Sequence, residues 1–291
     1  MVKIEWKRMG YGPVLRTKEF KNEDGTALPV LVAPKLEELQ EIRHFFTTRE
    51  GGVSSGIFRS LNLTTSRGDD PANVAENFTR VSAALGVPKD HFVLTWQTHT
   101  DNIHIVTEED AGRGLTRDYG YTDVDGLVTI VPGIALSVFT ADCVPILFAD
   151  PVHKAIGTCH AGWRGTAARI AEKVIRIMKE QYGTDPADVR CAIGPSICRA
   201  CYEVSGDVAE AFAAALPGHE AEIMDEKNVQ GEKKYQLDLH LSNRIILEEA
   251  GVKPEHIDVT DICTQCNPDL LWSHRATNGQ RGLQAGFIVL A

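Results

Sequence analysis

Basic runs and long apolar runs are both missing from this sequence. Thirty Lys and Arg face 40 Asp and Glu, a formal net charge of −10. That balance argues against broad binding to nucleic acid or to an anionic membrane, which both need positive surface. No uninterrupted apolar stretch approaches the roughly 20 residues of a membrane helix. The opening residues, MVKIEWKRMGYGPVL, lack the apolar core of about 7–15 residues that a secretory signal carries. A cytoplasmic location is therefore expected. Neither G-x-x-x-x-G-K-[ST] nor a strand–GxGxxG–helix is present, which leaves P-loop and dinucleotide-fold readings without support. The H-x-E…P-C-x-x-C signature of zinc deaminases is also missing. Ten histidines without an H-x-H pair give a multicopper site little to build on.

Seven cysteines cannot all pair with one another, so thiols or metal ligands are expected rather than a disulfide framework. Two pairs read C-x-x-C, Cys198/Cys201 and Cys263/Cys266. They lie much farther apart in the chain than the halves of a zinc ribbon. Ordinary thiols are the simplest reading, with a four-thiolate structural zinc site as the alternative.

At 291 residues and 43% hydrophobic, with no repeat and no linker, the chain reads as one domain spanning 1–291. Residues 1–35 look like short strands and turns leading into it, with Asn22-Glu23-Asp24-Gly25 as a hairpin turn. After Asp70-Pro71, the spacing of Val74, Phe78, Val81 and Leu85 predicts a helix closed by Gly86. Strands are expected at 92–96, 103–106, 134–139, 145–149, 155–159 and 284–290. Helices are expected from about Thr166 through Tyr182, from about Ser205 to Leu216, and over about 236–250. Strands and helices mix without βαβ alternation, which points to α+β with mixed sheets.

Within that frame, three soft ligands stand in distinctive segments: His99 in Gln97-Thr98-His99, Cys143 in Ala141-Asp142-Cys143-Val144-Pro145, and His160 in Cys159-His160-Ala161-Gly162-Trp163-Arg164-Gly165. Two imidazoles and a thiolate suit zinc, and three protein ligands leave a fourth position for water or substrate. Their wide spacing requires tertiary folding to assemble them. Cys143 is equally readable as a nucleophile or an inert core thiol. Asp142 is read as a turn cap, or as a residue orienting a ligand. His160 through Gly165 is read as a strand-to-helix connection, with Arg164 at a helix start where it would either hold an anion or face solvent. The loop Thr47–Ser55 is read as an anion cradle built on Arg49 and free amides, or as a solvated turn. Its Gly52-Val53-Ser54-Ser55-Gly56 matches G-x-S-x-G, but without a strand before and a helix after it a nucleophile elbow is not expected.

Taken together, TTREGGVS (47–54), SLNL (60–63), GDD (68–70), QTH (97–99), TADCVP (140–145), HAGWRG (160–165), AIGPSI (192–197), CYEV (201–204), CT (263–264) and SHR…GQRG (273–282) resemble the YfiH-like, or laccase-domain, family described as purine nucleoside phosphorylases. The resemblance runs from about Phe45 to Leu290. It implies a four-layer αββα sandwich with mixed β-sheets, and zinc on His99, Cys143 and His160, which would also be the catalytic groups; copper is a possible occupant. It further implies phosphorolysis of adenosine, inosine, guanosine and methylthioadenosine by inorganic phosphate, with adenosine deamination. Older descriptions of the family, polyphenol oxidation and peptidoglycan editing, are the alternatives. Arg49 and Arg164 are the candidates for phosphate or ribose contacts. The tail departs from the family's S-Y-R-R-D…T-G-R, reading Ser273-His274-Arg275-Ala276…Gly279-Gln280-Arg281, which removes the ground for assigning Arg281 a substrate contact. A monomer or weak homodimer is expected, with no nucleic-acid or membrane partner.

Overall fold

Most strands are apolar on both faces, and this decides the architecture: such a strand must be covered on each side. The computed structural model describes residues 4–10, 14–229 and 231–291. In chain order its elements are β1 (Arg16–Lys21), β2 (Ala27–Val32), α1 (Pro34–Glu37), β3 (Ile42–Thr47), α2 (Pro71–Leu85), β4 (Phe92–Leu94), β5 (Ile103–Ile105) and β6 (Gly126–Thr129). Then come β7 (Ala135–Thr140), β8 (Val144–Asp150), β9 (Ala155–Ala161), α3 (Trp163–Ala167), α4 (Ile170–Tyr182), β10 (Arg190–Ile193), β11 (Glu203–Val204) and α5 (Gly206–Ala215). The remainder are α6 (Glu220–Ile223), β12 (Met224–Val229), β13 (Glu232–Leu237), α7 (Leu239–Glu249), β14 (Ile257–Val259) and β15 (Gln284–Leu290).

Two six-stranded mixed sheets form the centre, ordered β1-β2-β3-β15-β7-β4 and β14-β10-β8-β9-β6-β5, and a three-stranded sheet β11-β13-β12 lies apart. Alternate residues of one strand enter different cores. On β7, Leu136 and Val138 face the second sheet, where they meet Leu127, Leu147 and Ile156. Ala135 and Phe139 face the other way, onto Val74, Phe78, Val81 and Leu85 of α2. The outer face of the second sheet, including Val144, Ile146 and Phe148, packs on α4, α5 and α7 through Val174, Phe212 and Ile246. The result is the expected single-domain α+β sandwich of four layers, αββα.

Several elements follow local rules. Asp70 caps α2 by accepting from the Ala72 amide, Pro71 occupies its first turn, and Gly86 ends it at φ 70°. The expected hairpin turn is present between β1 and β2, with the Gly25 amide donating to the Asn22 carbonyl at 2.9 Å and Gly25 at φ 80°. Residues 1–3 and 11–13 of the N-terminal segment lie outside the described residues; its strands otherwise form the edge of the first sheet.

Three expectations need correction. The helix expected from Thr166 is two helices, α3 and α4, separated by Arg169 at φ 58°. Arg169 holds that break by donating to Glu172, Glu249 and the Ala215 carbonyl. The helix expected at 236–250 begins only at Leu239, because residues through Leu237 pair as β13 and Asp238 caps the helix. Finally, β9 runs on through His160 and Ala161, which pair with Pro145 and Val144, so His160 stands on a strand rather than in the connection.

Candidate metal centre

Sheet topology brings the three ligand segments together. The chain crosses from the first sheet to the second twice, once between β4 and β5 and once between β7 and β8. Because β4 and β7 run parallel, both crossings occur at the same end of the sandwich. His99 lies in the first crossing and Cys143 in the second, while β9, antiparallel to β8, delivers His160 to the same end. The ligand atoms of all three lie within 4.8 Å of one another. The His99 and His160 rings meet edge to face with centroids 4.8 Å apart.

Each ligand is held from behind. Gln97 fixes the first crossing to β7, donating to the Phe139 carbonyl at 2.7 Å and accepting from the Phe139 amide at 2.8 Å. Asp125, fully buried, organises the rest. Its Oδ1 accepts from His160 Nδ1 at 2.7 Å and from the His99 amide at 3.2 Å. Its Oδ2 accepts from the Thr98 and Thr100 amides, each at 3.0 Å, and from the Thr100 hydroxyl at 2.9 Å. A carboxylate on Nδ1 fixes the imidazole tautomer and leaves Nε2 free to face an ion, the arrangement that supports metal-binding histidines. His99 itself sits at φ 66°, a left-handed conformation uncommon for residues that bear a side chain. Sequence reading did not single out Asp125; an aspartate at the start of a strand carries no signal until the fold sets it beside His160.

Asp142 neither caps its own turn nor reaches the ligand cluster. At φ 88° its carboxylate accepts from the Thr264 hydroxyl and the Arg275 amide, each at 2.6 Å, and its carbonyl accepts from the Ile197 amide at 2.9 Å. It therefore pins two distant loops beside Cys143.

The electrostatics match a cation site. Burial opposes ionisation of the Cys143 thiol, but the neighbouring His160 and His99 imidazoles outweigh it and bring the thiol down to about 6. Burial likewise opposes protonation of His160, and the Cys143 and Asp125 charges reverse that to about 9. A cation between them would take over the role of the shared proton. Gly162 packs directly against the cluster: a Cβ there would stand 3.1 Å from His99 Cδ2 and 3.2 Å from Cys143 Sγ. One thiolate and two imidazoles within 4.8 Å of one another fit a zinc-sized soft ion, and the donor types also suit copper.

Neither Arg49 nor Arg164 is hydrogen-bonded to the three clustered side chains. Arg49 donates to the carbonyls of Arg59 and Pro268, the latter at 2.9 Å, and stacks 4.1 Å over the Trp272 ring. The amides of Arg49, Glu50, Gly52, Val53 and Ser54 all have partners, so most of the 47–55 loop's donors are committed within the fold. Ser54 donates to Asp69 and accepts from Asn77, a structural pairing with no histidine in it. Arg164 is exposed and lies 4.2 Å over Trp163, which packs on the outer core of the second sheet. Arg281, set aside on sequence, is buried instead, with its Nε unpartnered. Burial, reinforced by Arg67, lowers its guanidinium to about 10, against the opposing pull of Cys143 and Asp142 nearby.

The two C-x-x-C pairs, distant in sequence, also meet. All seven cysteines are free thiols. Among the described residues no helix is long and apolar enough to cross a membrane.

The chain is similar to known proteins in sequence and in fold. Residues 43–291 match the family described as multi-copper polyphenol oxidoreductase laccase. The chain is 37% identical over 251 residues to the purine nucleoside phosphorylase YlmD of Bacillus subtilis, covering 86% of this chain and 88% of that protein. It is 39% identical over 256 residues to a purine nucleoside phosphorylase of Deinococcus radiodurans, covering 88% and 90%. Among solved structures, YlmD from Geobacillus stearothermophilus superimposes with a TM-score of 0.82 at 33% identity, covering 94% of this chain and 99% of that one.

Proposed function

This chain belongs to the family described as multi-copper polyphenol oxidoreductase laccase, and on that premise we propose that it is a purine nucleoside phosphorylase working at a zinc centre on His99, Cys143 and His160. Its substrates on this reading are adenosine, inosine, guanosine and methylthioadenosine with inorganic phosphate, and the same centre deaminates adenosine. The carrying observation is the convergence of these three ligands, backed by Asp125 and packed against Gly162. The activity named for its relatives supports the reading.

When bound, zinc supplies Lewis acidity at one open coordination position. The protein supplies placement and charge. In phosphorolysis a phosphate oxygen bonds to C1′ while the C1′–N9 bond breaks, its electron pair leaving with a purine that takes up a proton. On this reading Arg281 holds the phosphate: its guanidinium is buried and charged, donates to the Gly282 carbonyl, and is unpartnered at Nε. Arg164, on the exposed rim, is the group for a ribose or outer phosphate oxygen. Arg49 contributes through the loops it ties together. Asp125 keeps both histidines oriented through the reaction.

A multicopper oxidase would need several histidine-rich sites. Among the described residues the grouped ligands amount to this triad and one all-cysteine cluster, which favours a single catalytic ion. The test is incubation with adenosine, with and without phosphate, followed by chromatography. Adenine and ribose 1-phosphate should form only with phosphate, and inosine in either case. Absence of all three products, or equal yields from C143A, would refute the proposal.

A further inference from the structure

The four cysteines of the paired C-x-x-C segments stand in one place. Cys198, Cys201, Cys263 and Cys266 hold their sulfurs within 4.8 Å of one another, with Cys201 and Cys266 at 3.6 Å. A tetrahedron of sulfurs about 2.3 Å from a central zinc has edges of roughly 3.8 Å, whereas bonded sulfurs lie near 2.05 Å. The spacing is that of ligands around an ion.

Backbone architecture explains how segments so far apart in sequence come together. Strands β10 and β14 pair in parallel, and the pairing continues beyond their ends as a bridge between Ser196 and Cys263. The Thr264 amide donates to the Ser196 carbonyl at 3.1 Å. Each pair then turns tightly: the Cys201 amide donates to the Cys198 carbonyl at 3.0 Å, and the Asn267 amide to the Thr264 carbonyl at 3.2 Å. Amide groups also face sulfur. The Cys198 N–H donates to Cys263 Sγ at 3.3 Å, and the amides of Cys201 and Cys266 face the sulfurs of Cys198 and Cys263. Amides directed at sulfur stabilise thiolates, the form that binds metal. Cys198 and Cys263 are buried while Cys201 and Cys266 are half-buried, and Cys198 and Cys266 line an open cavity with Met9 and His240, which gives an ion a way in.

We propose that Cys198, Cys201, Cys263 and Cys266 form a second, structural zinc site with four thiolate ligands and no open position. Four soft donors in a closed tetrahedral set suit zinc, and such sites fasten chain segments rather than activate substrates. Both segments fastened here help to hold Asp142: Ile197 bonds its carbonyl, and Thr264, beside Arg275, bonds its carboxylate. The ion thus braces the turn that presents Cys143 without touching it.

Metal analysis of the full chain, purified without chelator and dialysed against trace zinc, tests the site. Wild type should hold two zinc ions per chain, C143A one, and the double variant C201S/C266S one. Cobalt loaded into C143A should give the intense sulfur-to-metal charge-transfer bands of a four-thiolate tetrahedral ion. This measurement stands even if the double variant fails to fold. One zinc in wild type and none in C143A would overturn the proposal. So would a red iron chromophore in place of zinc, or fewer than seven titratable thiols in the denatured, unreduced chain. Two zinc ions in C143A would leave this site standing and count against the catalytic triad instead, so the two readings fail separately.

Discussion

Replacing Asp125 by Asn removes one acceptor and almost nothing else, which makes D125N the sharpest probe of the site's support. The native carboxylate accepts two donors at Oδ1 and three at Oδ2, all in a fully buried position. An amide can present oxygen to one set only. With oxygen toward Thr98 and Thr100, its NH2 opposes His160 Nδ1 and the His99 amide; reversed, it opposes three donors. A buried donor left unpaired costs about 1–3 kcal/mol, so the favoured orientation loses about 2 kcal/mol or more. In that orientation His160 also loses its tautomer control, and removing such a partner weakens metal binding by roughly 10–100-fold. Chelator competition reports the affinity, and urea unfolding of metal-free protein reports the stability. A zinc affinity within threefold of wild type, with unchanged unfolding, would refute the organising role of Asp125.

Other expectations follow from single features. At Gly162, alanine would put a methyl group against His99 and Cys143, so G162A should keep its fold and lose metal affinity at least tenfold by the same competition assay. Truncation in R281A should raise KM for phosphate tenfold or more with little change in KM for nucleoside, whereas R49A should lower Tm without that selective rise. Burial, with help from Lys18, lowers His44 to about 3, and its ring accepts from the Ala33 amide at 2.9 Å. Because the unfolded chain takes up this proton first, near 6.5, stability is complete above that pH and declines as pH falls toward 3. The loss amounts to about 2 kcal/mol at pH 5. Gln at position 44 keeps an acceptor and cannot titrate, so H44Q should lose about that much less than wild type between pH 7.5 and pH 5; parallel curves would contradict this.

Legibility in the sequence tracked how local each feature is. α2 was readable in full because its cap, proline, apolar spacing and terminal glycine all lie within one segment. The buried strands β7, β8 and β15 were readable from their apolar runs. β12 and β13 were missed because they are largely solvent-exposed and polar, with no apolar period to see. The candidate ligands His99, Cys143 and His160 stand out in the sequence by residue type and by resemblance, and the fold brings them together. Asp125 does not stand out, and the partners of Asp142 are hidden, since both act on groups brought near only by tertiary pairing. Arg49 drew attention as a charge in a glycine-containing loop, yet its donors serve backbone carbonyls. Distance in sequence likewise left the four-cysteine cluster as only the alternative reading, because the parallel strand pairing that closes the gap is not visible there.

Zinc content and phosphate-dependent adenine release, measured together on wild type and H160A, test the central claim most directly. Loss of one zinc ion per chain and of adenine release, in a variant that stays folded, is the result expected. Undiminished adenine release from H160A after that ion has gone would contradict the account.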